Sequence, residues 1–300
     1  MIEHSFCFIT DCHFTTSSRV RNGDILDDAV KKLQYVVDYC NQNNCILLCG
    51  GDFFDKPTVP DLVKTQVIKV LSRLSTKMYN IPGNHCTLYN NADFMYKTSY
   101  DLMTAAGLWE DLDSVPFVDC GDCIITSKIP ITPKGKPQIV VYHGFLNIDD
   151  GNYTFRFTDL QTTDPVYVCL GHDHVVYEPI KFGENVKIFR PGSFIRGIRS
   201  DTNMRTPQML HIKVSNGKLL SKLVPIRCRD FNEIFKAKTL KVSKSAQHDS
   251  YESIIAQMSN ASSKQMTLKE AIKQVATDDV VEFAFQLMEK HKSDNIIKKN

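Results

Sequence analysis

Side chains that could bind metal ions occur in five short motifs, and each motif follows a segment predicted to be a β-strand. Ligand crevices in open α/β sheets form at the carboxyl ends of strands, so we expect these motifs to meet at such an edge. The motifs are Asp11-Cys-His13, Gly51-Asp52-Phe-Phe-Asp55, Gly83-Asn84-His85, Tyr142-His143-Gly144 and Gly171-His172-Asp-His174.

The spacing within the motifs favours shared ligation. Alternate residues of an extended segment point the same way, so Asp11 and His13 should bind on one side, as should His172 and His174. Glycines within three of the motifs permit tight turns that bring the backbone close to the site.

The mixture of Asp, Asn and His ligands suits manganese, iron or zinc better than calcium. Seven such ligands are too many for one ion, but they suit two ions about 3.5–4 Å apart that share a carboxylate. One motif alone is weak evidence, because a lone histidine is more often a hydrogen-bonded core residue. Five motifs in this order are hard to explain by packing.

The order of the motifs resembles the signature of the calcineurin-like metallophosphoesterase superfamily, D-x-H, G-D-x-x-D, G-N-H, H and G-H-x-H, across residues 6–197. The resemblance implies two divalent metal ions, with Mn2+ expected and Fe2+, Zn2+ or Mg2+ as alternatives. It implies that Asp52 bridges the ions, that His85 is the general acid or transition-state stabiliser, and that Asp55 orients His85. The other implied ligands are Asp11, His13 and His174 on one ion, and Asn84, His143 and His172 on the other.

The segment Arg190-Pro-Gly-Ser193-Phe-Ile-Arg196 resembles the P-G-S-x-x-R element of SbcD-like DNA repair nucleases. The resemblance implies that Ser193 contacts the site or a phosphate and that Arg196 pairs with a backbone phosphate. Arg190 and Arg199 are further candidate DNA contacts. The alternative interpretation is a turn followed by a surface arginine.

Basic residues are concentrated in one part of a chain whose net charge is only +2. Between Lys181 and Arg229 there are eleven Lys or Arg residues and two acidic residues. Such a concentration suits a polyanionic partner, and a solvated hairpin surface is the alternative.

The predicted function is that of a metal-dependent DNA nuclease, acting as an exonuclease, an endonuclease or both, in an SbcCD-like repair or recombination complex. The resemblance implies DNA and a coiled-coil ABC-type ATPase subunit of the SbcC type as partners, and a homodimer as a further expectation. One alternative keeps the metal site but assigns a small phosphoester or a phosphoprotein as substrate. A second alternative is a binding scaffold that retains a vestigial site.

The elements that must position the motifs alternate between strands and helices over the first 180 residues. Apolar periodicity predicts helices at 24–43, 60–74 and 92–106. The later pattern is mostly β, with hairpin turns predicted at 183–185 and 215–217. We predict an α/β layered sandwich, which the resemblance specifies as two mixed β-sheets flanked by helices, with a small C-terminal helical extension.

The predicted catalytic core covers residues 1–205, and residues 206–240 supply remaining core strands or a reduced capping region. Residues 241–300 are predicted to form a linker and helices. The apolar surface of 278–290 is wider than one amphipathic stripe requires. The resemblance to SbcD-like nucleases implies that such helices dock on the ATPase as an amphipathic anchor. Packing back on the domain is the alternative.

No apolar run approaches the roughly 18 residues needed to cross a bilayer, and the N-terminus lacks a signal-peptide pattern. We therefore predict no membrane association and a cytoplasmic location, nucleoid-associated or, for a viral protein, in the host cytoplasm. The 10 cysteines lie largely within apolar runs, which favours free thiols in a reducing compartment.

Overall fold

The computed structural model describes residues 4–16, 18, 21–88, 92–146, 154–197 and 204–235. The predicted C-terminal helices at 241–300 lie outside these residues, and the proposed domain boundaries stay predictions.

The strands are β1 His4–Ile9, β2 Cys45–Cys49, β3 Met78–Asn80, β4 Glu110–Asp111, β5 Val118–Asp119, β6 Ile124–Thr126, β7 Gln138–His143, β8 Phe145–Leu146, β9 Thr154–Phe155, β10 Val166–Gly171, β11 Tyr177–Phe182, β12 Val186–Arg190, β13 Gln208–Ser215 and β14 Lys218–Pro225. The α-helices are α1 Ile25–Asn43, α2 Asp61–Leu71, α3 Ser99–Ala105 and α4 Phe231–Ile234.

The first sheet has the strand order β14-β13-β1-β2-β3-β4. Strands β1 to β4 run parallel, while β13 is antiparallel to β1 and to β14. Because parallel strands are usually covered on both faces, β1 and β2 are expected to be apolar throughout, and their residues are largely buried.

The second sheet has the strand order β11-β12-β10-β7-β6-β5. Its central strands are parallel, and the edge strands β5 and β11 are antiparallel to their neighbours. Strands β8 and β9 form a separate parallel pair. Two mixed sheets with flanking helices confirm the predicted fold class.

Three apolar layers hold these elements together. One lies between the sheets and includes Phe6, Phe8 and Val141. A second packs the helices on the first sheet, with Leu33 of α1 among its fully buried members. A third covers the other face of the second sheet and includes Val168. This layering leaves the strand ends free to carry polar residues.

The predicted helix at 92–106 is wrong as one continuous element. Ala92–Lys97 is a 3₁₀ helix, and α3 begins only at Ser99. Thr98 between them is extended, and its side-chain oxygen accepts a hydrogen bond from the backbone N–H of Asp101. This side chain satisfies an N–H that a continuous helix would pair internally, so Thr98 starts a new helix.

Both predicted hairpin turns are confirmed by the strand pairing. Ser215 pairs with Lys218 across a two-residue connection, and Phe182 pairs with Val186. Asn216 and Gly217 both have positive φ, at 52° and 71°. Two positive φ values are the requirement of the tight turn that matches strand twist.

Within the described ranges, no helix combines the length and the apolar composition that crossing a bilayer requires.

Candidate metal centre

The loops after five strands bring the predicted ligands together. Strands β1, β2 and β3 of the first sheet end two or three residues before a motif. In the second sheet, β10 ends at the first residue of its motif, and β7 ends at His143 itself. Among the described residues, three groups of side chains have ligand atoms within 4.8 Å of one another, and one of them joins His13 to Asp55 and His85. The other two contain only predicted ligands. They are Asp11, His13 and His174, and Asp52, His143 and His172.

In the first cluster, two imidazoles and one carboxylate face a common point. The Nε2 atoms of His13 and His174 lie 3.0 Å apart. Asp11 Oδ1 lies 3.6 Å from His174 Nε2 and 4.0 Å from His13 Nε2. These three side chains come from residues up to 163 positions apart in the chain, so only the fold assembles them.

In the second cluster, an amide oxygen joins the imidazoles and the carboxylate. Asn84 Oδ1 lies 3.0 Å from both His143 Nε2 and His172 Nδ1. His143 Nε2 lies 3.3 Å from Asp52 Oδ2. All four side chains therefore present a lone pair to one small volume.

Asp52 lies between the two clusters. Its Oδ2 atom is 3.3 Å from His143 Nε2 and 3.9 Å from His13 Nε2. Its Oδ1 atom accepts a hydrogen bond of 2.9 Å from the backbone N–H of His85. A backbone N–H thus fixes Oδ1, while Oδ2 faces an imidazole nitrogen of each cluster. A carboxylate that bridges two ions requires this position.

The donor set fits divalent cations. Asp11 and Asp52 are 0% and 2% exposed, and among the described residues no Lys or Arg forms an ion pair with either. Buried carboxylates without a cation are costly, and imidazole, carboxylate and amide ligands together suit borderline-hard metals.

The tautomer of His143 is set by its surroundings. Its Nδ1 atom lies 2.7 Å from the carbonyl oxygen of Gly50, which can only accept, so Nδ1 carries the proton. The lone pair of Nε2 then faces the second cluster. A backbone carbonyl that fixes a ligand histidine in this way is a common feature of metal sites.

The titration of the cluster follows from burial and from mutual charge. Burial lowers the pKa of His13 to about 3, so this imidazole is neutral and able to donate a lone pair. Burial raises the pKa of Asp11. Burial also opposes ionisation of Asp52, but His143, His13 and His85 outweigh it and lower the Asp52 pKa to about 2.

The ligand loops are tightly turned rather than extended. Asp11, His13, Asp52 and His172 have φ values of 53°, 42°, 48° and 85°. We predicted that an extended backbone would point alternate side chains the same way. The backbone is not extended, so that reason is wrong, although the side chains do converge. Positive φ outside glycine costs about 1–3 kcal/mol per residue and concentrates at functional sites.

Two glycines permit the close approach of these loops. A Cβ atom on Gly83 would lie 2.1 Å from Asp52 Oδ1, and one on Gly171 would lie 2.1 Å from Thr10 Oγ1. No side chain larger than hydrogen fits either position without displacing the site.

His85 lies beside the first cluster. Its ring centroid is 4.7 Å from that of His13. Its Nδ1 atom donates to the backbone carbonyl of Asp55 at 2.7 Å, whereas the Asp55 carboxylate lies 3.7 Å from His13 Nδ1. Asp55 thus hydrogen-bonds to His85 through its backbone carbonyl, and its carboxylate lies within 4.8 Å of a His85 ring nitrogen.

The predicted DNA contacts have partners within the protein. The hydroxyl of Ser193 donates to the carbonyl of Ile195 at 2.8 Å. Arg190 pairs with Asp173 at 2.8 Å, and Arg196 is 4% exposed. Arg199 lies outside the described residues. Contact of these side chains with DNA stays a prediction.

Two residues near the centre were not singled out from the sequence. Thr10 donates its hydroxyl to Asp11 Oδ2 at 2.8 Å, and the ring of Phe145 packs edge-on against His172 with centroids 4.5 Å apart. Their position in the sequence could have identified them, because Thr10 directly precedes one motif and Phe145 directly follows another.

A family model described as Calcineurin-like phosphoesterase matches residues 4–186 of this chain. The search of curated protein sequences gave no match.

Several solved structures match parts of this chain. The 5'-nucleotidase precursor from Thermus thermophilus has 13% identity and a TM-score of 0.45 over 86% of this chain, and the match spans 60% of the precursor. TT1561, from the same organism, has 9% identity and a TM-score of 0.46, over 75% of this chain and 100% of that one. Vacuolar Protein Sorting 29 from Cryptosporidium parvum has 11% identity and a TM-score of 0.37, over 75% and 98% of the two chains.

Proposed function

Because this chain belongs to the calcineurin-like phosphoesterase family, whose members hydrolyse phosphoesters with divalent metal ions, we propose that it is a nuclease that cleaves the phosphodiester bonds of DNA. We propose further that it is the nuclease subunit of an SbcCD-like complex. The observation that carries the proposal is the pair of donor clusters that share Asp52, with the imidazole of His85 beside them.

The chain's own residues define where the metal ions would be held. Asp11, His13 and His174 would hold one ion, the second cluster would hold the other, and Asp52 would contact both. Two bound divalent cations lower the pKa of a water molecule and neutralise charge that develops on phosphoryl oxygens.

His85 is placed to move a proton. Because its Nδ1 atom donates to the Asp55 carbonyl, Nε2 is the nitrogen left to exchange a proton with the substrate. The same carbonyl accepts from Nδ1 when the ring is protonated, since both nitrogens are then donors. A protonated His85 can then donate from Nε2 to the leaving sugar oxygen as a general acid.

The position of the Arg190–Arg196 segment supports DNA as the substrate. The backbone N–H groups of Phe194 and Ile195 donate to the carbonyls of Thr10 and Asp11 at 2.9 and 3.3 Å. The N–H of Ser193 donates to the carbonyl of His174 at 3.2 Å. The element that resembles one of SbcD-like nucleases is therefore fixed against two ligand loops.

Exposed basic side chains offer a surface for the DNA backbone. Lys181 on β11, Lys218 and Lys222 on β14, and Arg227 after β14 are all exposed. Lysine and arginine on phosphates position DNA without reading its sequence.

The partner proposals concern the whole protein. A coiled-coil ABC-type ATPase would dock on the 241–300 segment, and two copies of this chain would form the homodimer expected of an SbcD-like nuclease. Co-purification of the full chain with the product of a neighbouring ATPase gene tests the first proposal, and loss of co-purification on deleting residues 241–300 is the expected result.

The decisive experiment is cleavage of end-labelled linear duplex DNA with manganese, run with and without the ATPase, beside bis-p-nitrophenyl phosphate as a general diester. We expect His85→Ala to lower DNA cleavage by about 10²–10⁴-fold, the usual contribution of general acid catalysis, with metal content retained. His4→Ala, at the opposite end of β1, is the matched control and should leave cleavage unchanged.

Cleavage of the small diester with intact DNA under every condition would contradict the nuclease proposal and favour the small-phosphoester alternative. Full DNA cleavage by His85→Ala would remove His85 from the mechanism.

A further inference from the structure

A second concave site lies away from the metal centre, between α1 and the residues that follow β14. It is a cavity of about 450 Å³, and none of the seven candidate metal ligands lines it. Its volume is in the range of small-molecule sites. Six basic side chains line it: Arg21, Lys31, Lys32, Arg196, Arg227 and Arg229.

Three of these cations are buried. Arg21, Lys32 and Arg196 are 5%, 3% and 4% exposed. Lys32 Nζ donates to the carbonyl of Phe194 at 2.5 Å, and Arg21 Nη1 donates to the carbonyl of Arg196 at 2.6 Å. The Nε atoms of Arg21 and Arg196 are buried without a hydrogen-bond partner. The wall of the cavity therefore contains guanidinium N–H groups that have no acceptor in the part of the chain that the structure describes.

The carboxylates nearby do not balance this charge. Asp28 pairs with Arg21 and also lies 3.4 Å from Arg229. The other acidic side chain of the cavity, Asp38, pairs with Arg73 on the surface. Among the described residues, Lys32, Arg196 and Arg227 have no carboxylate partner.

Uncompensated buried cations are costly, and a protein retains them where an anion completes the site. Burial, with Arg196 and Arg21 close by, lowers the pKa of Lys32 to about 7, which agrees with a cation that lacks a counter-charge.

We propose that this cavity binds a phosphate monoester. A phosphate monoester dianion brings two negative charges and three terminal acceptor oxygens, which matches convergent Lys and Arg donors better than a monovalent carboxylate does. Tyr35 and the stem of Lys31 add wall area beside the cations, enough for more than a bare phosphate ion. The phosphate group has two sources, a free nucleotide or the phosphorylated end of a nucleic-acid strand. The site stands independently of the proposed nuclease activity.

The test measures binding to the purified full chain by calorimetry and by melting temperature, at matched ionic strength set with chloride. The probes are inorganic phosphate, a nucleoside 5'-monophosphate, and a short oligonucleotide with either a 5'-phosphate or a 5'-hydroxyl end. We expect the phosphorylated probes to raise the melting temperature, as any ligand of the folded state does. Tighter binding of the monophosphate than of the phosphorylated oligonucleotide assigns a free nucleotide, and the reverse assigns a strand end.

Two variants assign the binding to this cavity. Arg227→Gln changes an exposed side chain and should weaken phosphate affinity roughly tenfold, the effect of one charge-assisted hydrogen bond. Lys69→Gln, on α2, equally exposed but outside both the cavity and the proposed DNA surface, should leave the affinity unchanged. Lys32→Met should abolish the phosphate-dependent rise in melting temperature. The melting temperature of the free protein should change little, because burying Lys32 without a carboxylate partner is costly and removing it offsets the lost hydrogen bond to the Phe194 carbonyl.

Two results would overturn the proposal. One is the absence of any stabilisation of the unmodified chain by all three phosphorylated probes. The other is stabilisation that survives both Arg227→Gln and Lys32→Met, since the phosphate group would then bind elsewhere on the protein.

Discussion

At the scale of single residues, Asp52 couples the two donor clusters. Its Oδ1 atom is held by a backbone N–H while Oδ2 faces imidazoles from both clusters. Removing its charge changes both clusters at once, whereas any other ligand belongs to one cluster. Substitution of Asp52 is therefore the change that best distinguishes a metal centre from a network of hydrogen-bonded histidines.

Asp52→Asn tests this role through metal content. We expect the purified chain to hold two divalent ions and the variant to hold at most one, because an amide cannot replace a shared carboxylate. Elemental analysis after dialysis against manganese gives the ratio. Asp113→Asn, an exposed acid, is the control, and a variant that still holds two ions would argue against the bridging assignment.

Lys32 supports a pH prediction at the same scale. Its pKa falls from 10.5 in the unfolded chain to about 7 in the folded protein, through burial and through Arg196 and Arg21, while Cys228 and Cys12 act in the opposite sense. Asp28 and Arg229 also line the cavity that Lys32 faces. The unfolded chain binds more protons between these values, so stability rises as pH increases from about 7 towards 10.5.

The comparison with Lys32→Met isolates this contribution. Chemical denaturation at pH 7, 8 and 9.5 should show the unmodified chain gaining stability relative to the variant as the pH increases. A stability difference between the two chains that is constant across this range would mean that Lys32 keeps an ordinary pKa.

At the scale of elements, the site depends on loops that glycines bring together. The loop after β3 passes so close to Asp52 that only a hydrogen fits at Gly83. The packed sheets on either side fix the strand ends, so the loop has little freedom to move away. Backbone geometry, not only ligand identity, therefore determines whether the clusters form.

Gly83→Ala is expected to damage the site without changing any ligand. The added methyl group would meet Asp52 Oδ1 at 2.1 Å and the Asp52 backbone nitrogen at 2.6 Å, so the loops must separate. We expect a loss of about 1–3 kcal/mol in unfolding free energy, the usual cost of overpacking, together with reduced metal content. Gly197→Ala, where a Cβ would meet no atom within 4 Å, should leave both measurements near those of the unmodified chain.

At the scale of the whole molecule, basic residues from one stretch of sequence are distributed over both sheets. Lys181 lies on β11 of the second sheet, whereas Lys218 and Lys222 lie on β14 of the first. Arg196 is instead buried beside α1. The basic segment is thus divided between an exposed surface and a cavity with a partly buried wall, which one count of charges cannot reveal.

Salt dependence measures how much of the exposed surface contacts DNA. The logarithm of the DNA affinity should fall linearly with the logarithm of salt concentration, by about 0.9 for each phosphate neutralised. Lys222→Gln should make that slope shallower by about 1, and Lys69→Gln, exposed on α2, should not change it. A slope that is the same for Lys222→Gln and the unmodified chain would remove Lys222 from the DNA surface.

The sequence by itself determined the alternation of strands and helices, both hairpin turns, and the positions of the motif residues at strand ends. These features depend on local periodicity and on turn residues such as Asn216 and Gly217, so they can be read without knowledge of distant contacts. The break at Thr98 was missed because helical periodicity continues across it, while a side-chain hydrogen bond starts a new helix.

Tertiary structure alone decided how the motif residues are held and where the second site lies. The positive φ values of Asp11 and Asp52 arise because packed strand ends force the loops to turn, which local preference would not select. The basic cavity joins residues 21–32 to residues 196–229, two segments with no pattern in common. Long-range packing sets burial and charge balance, and a linear sequence carries neither until the chain has folded.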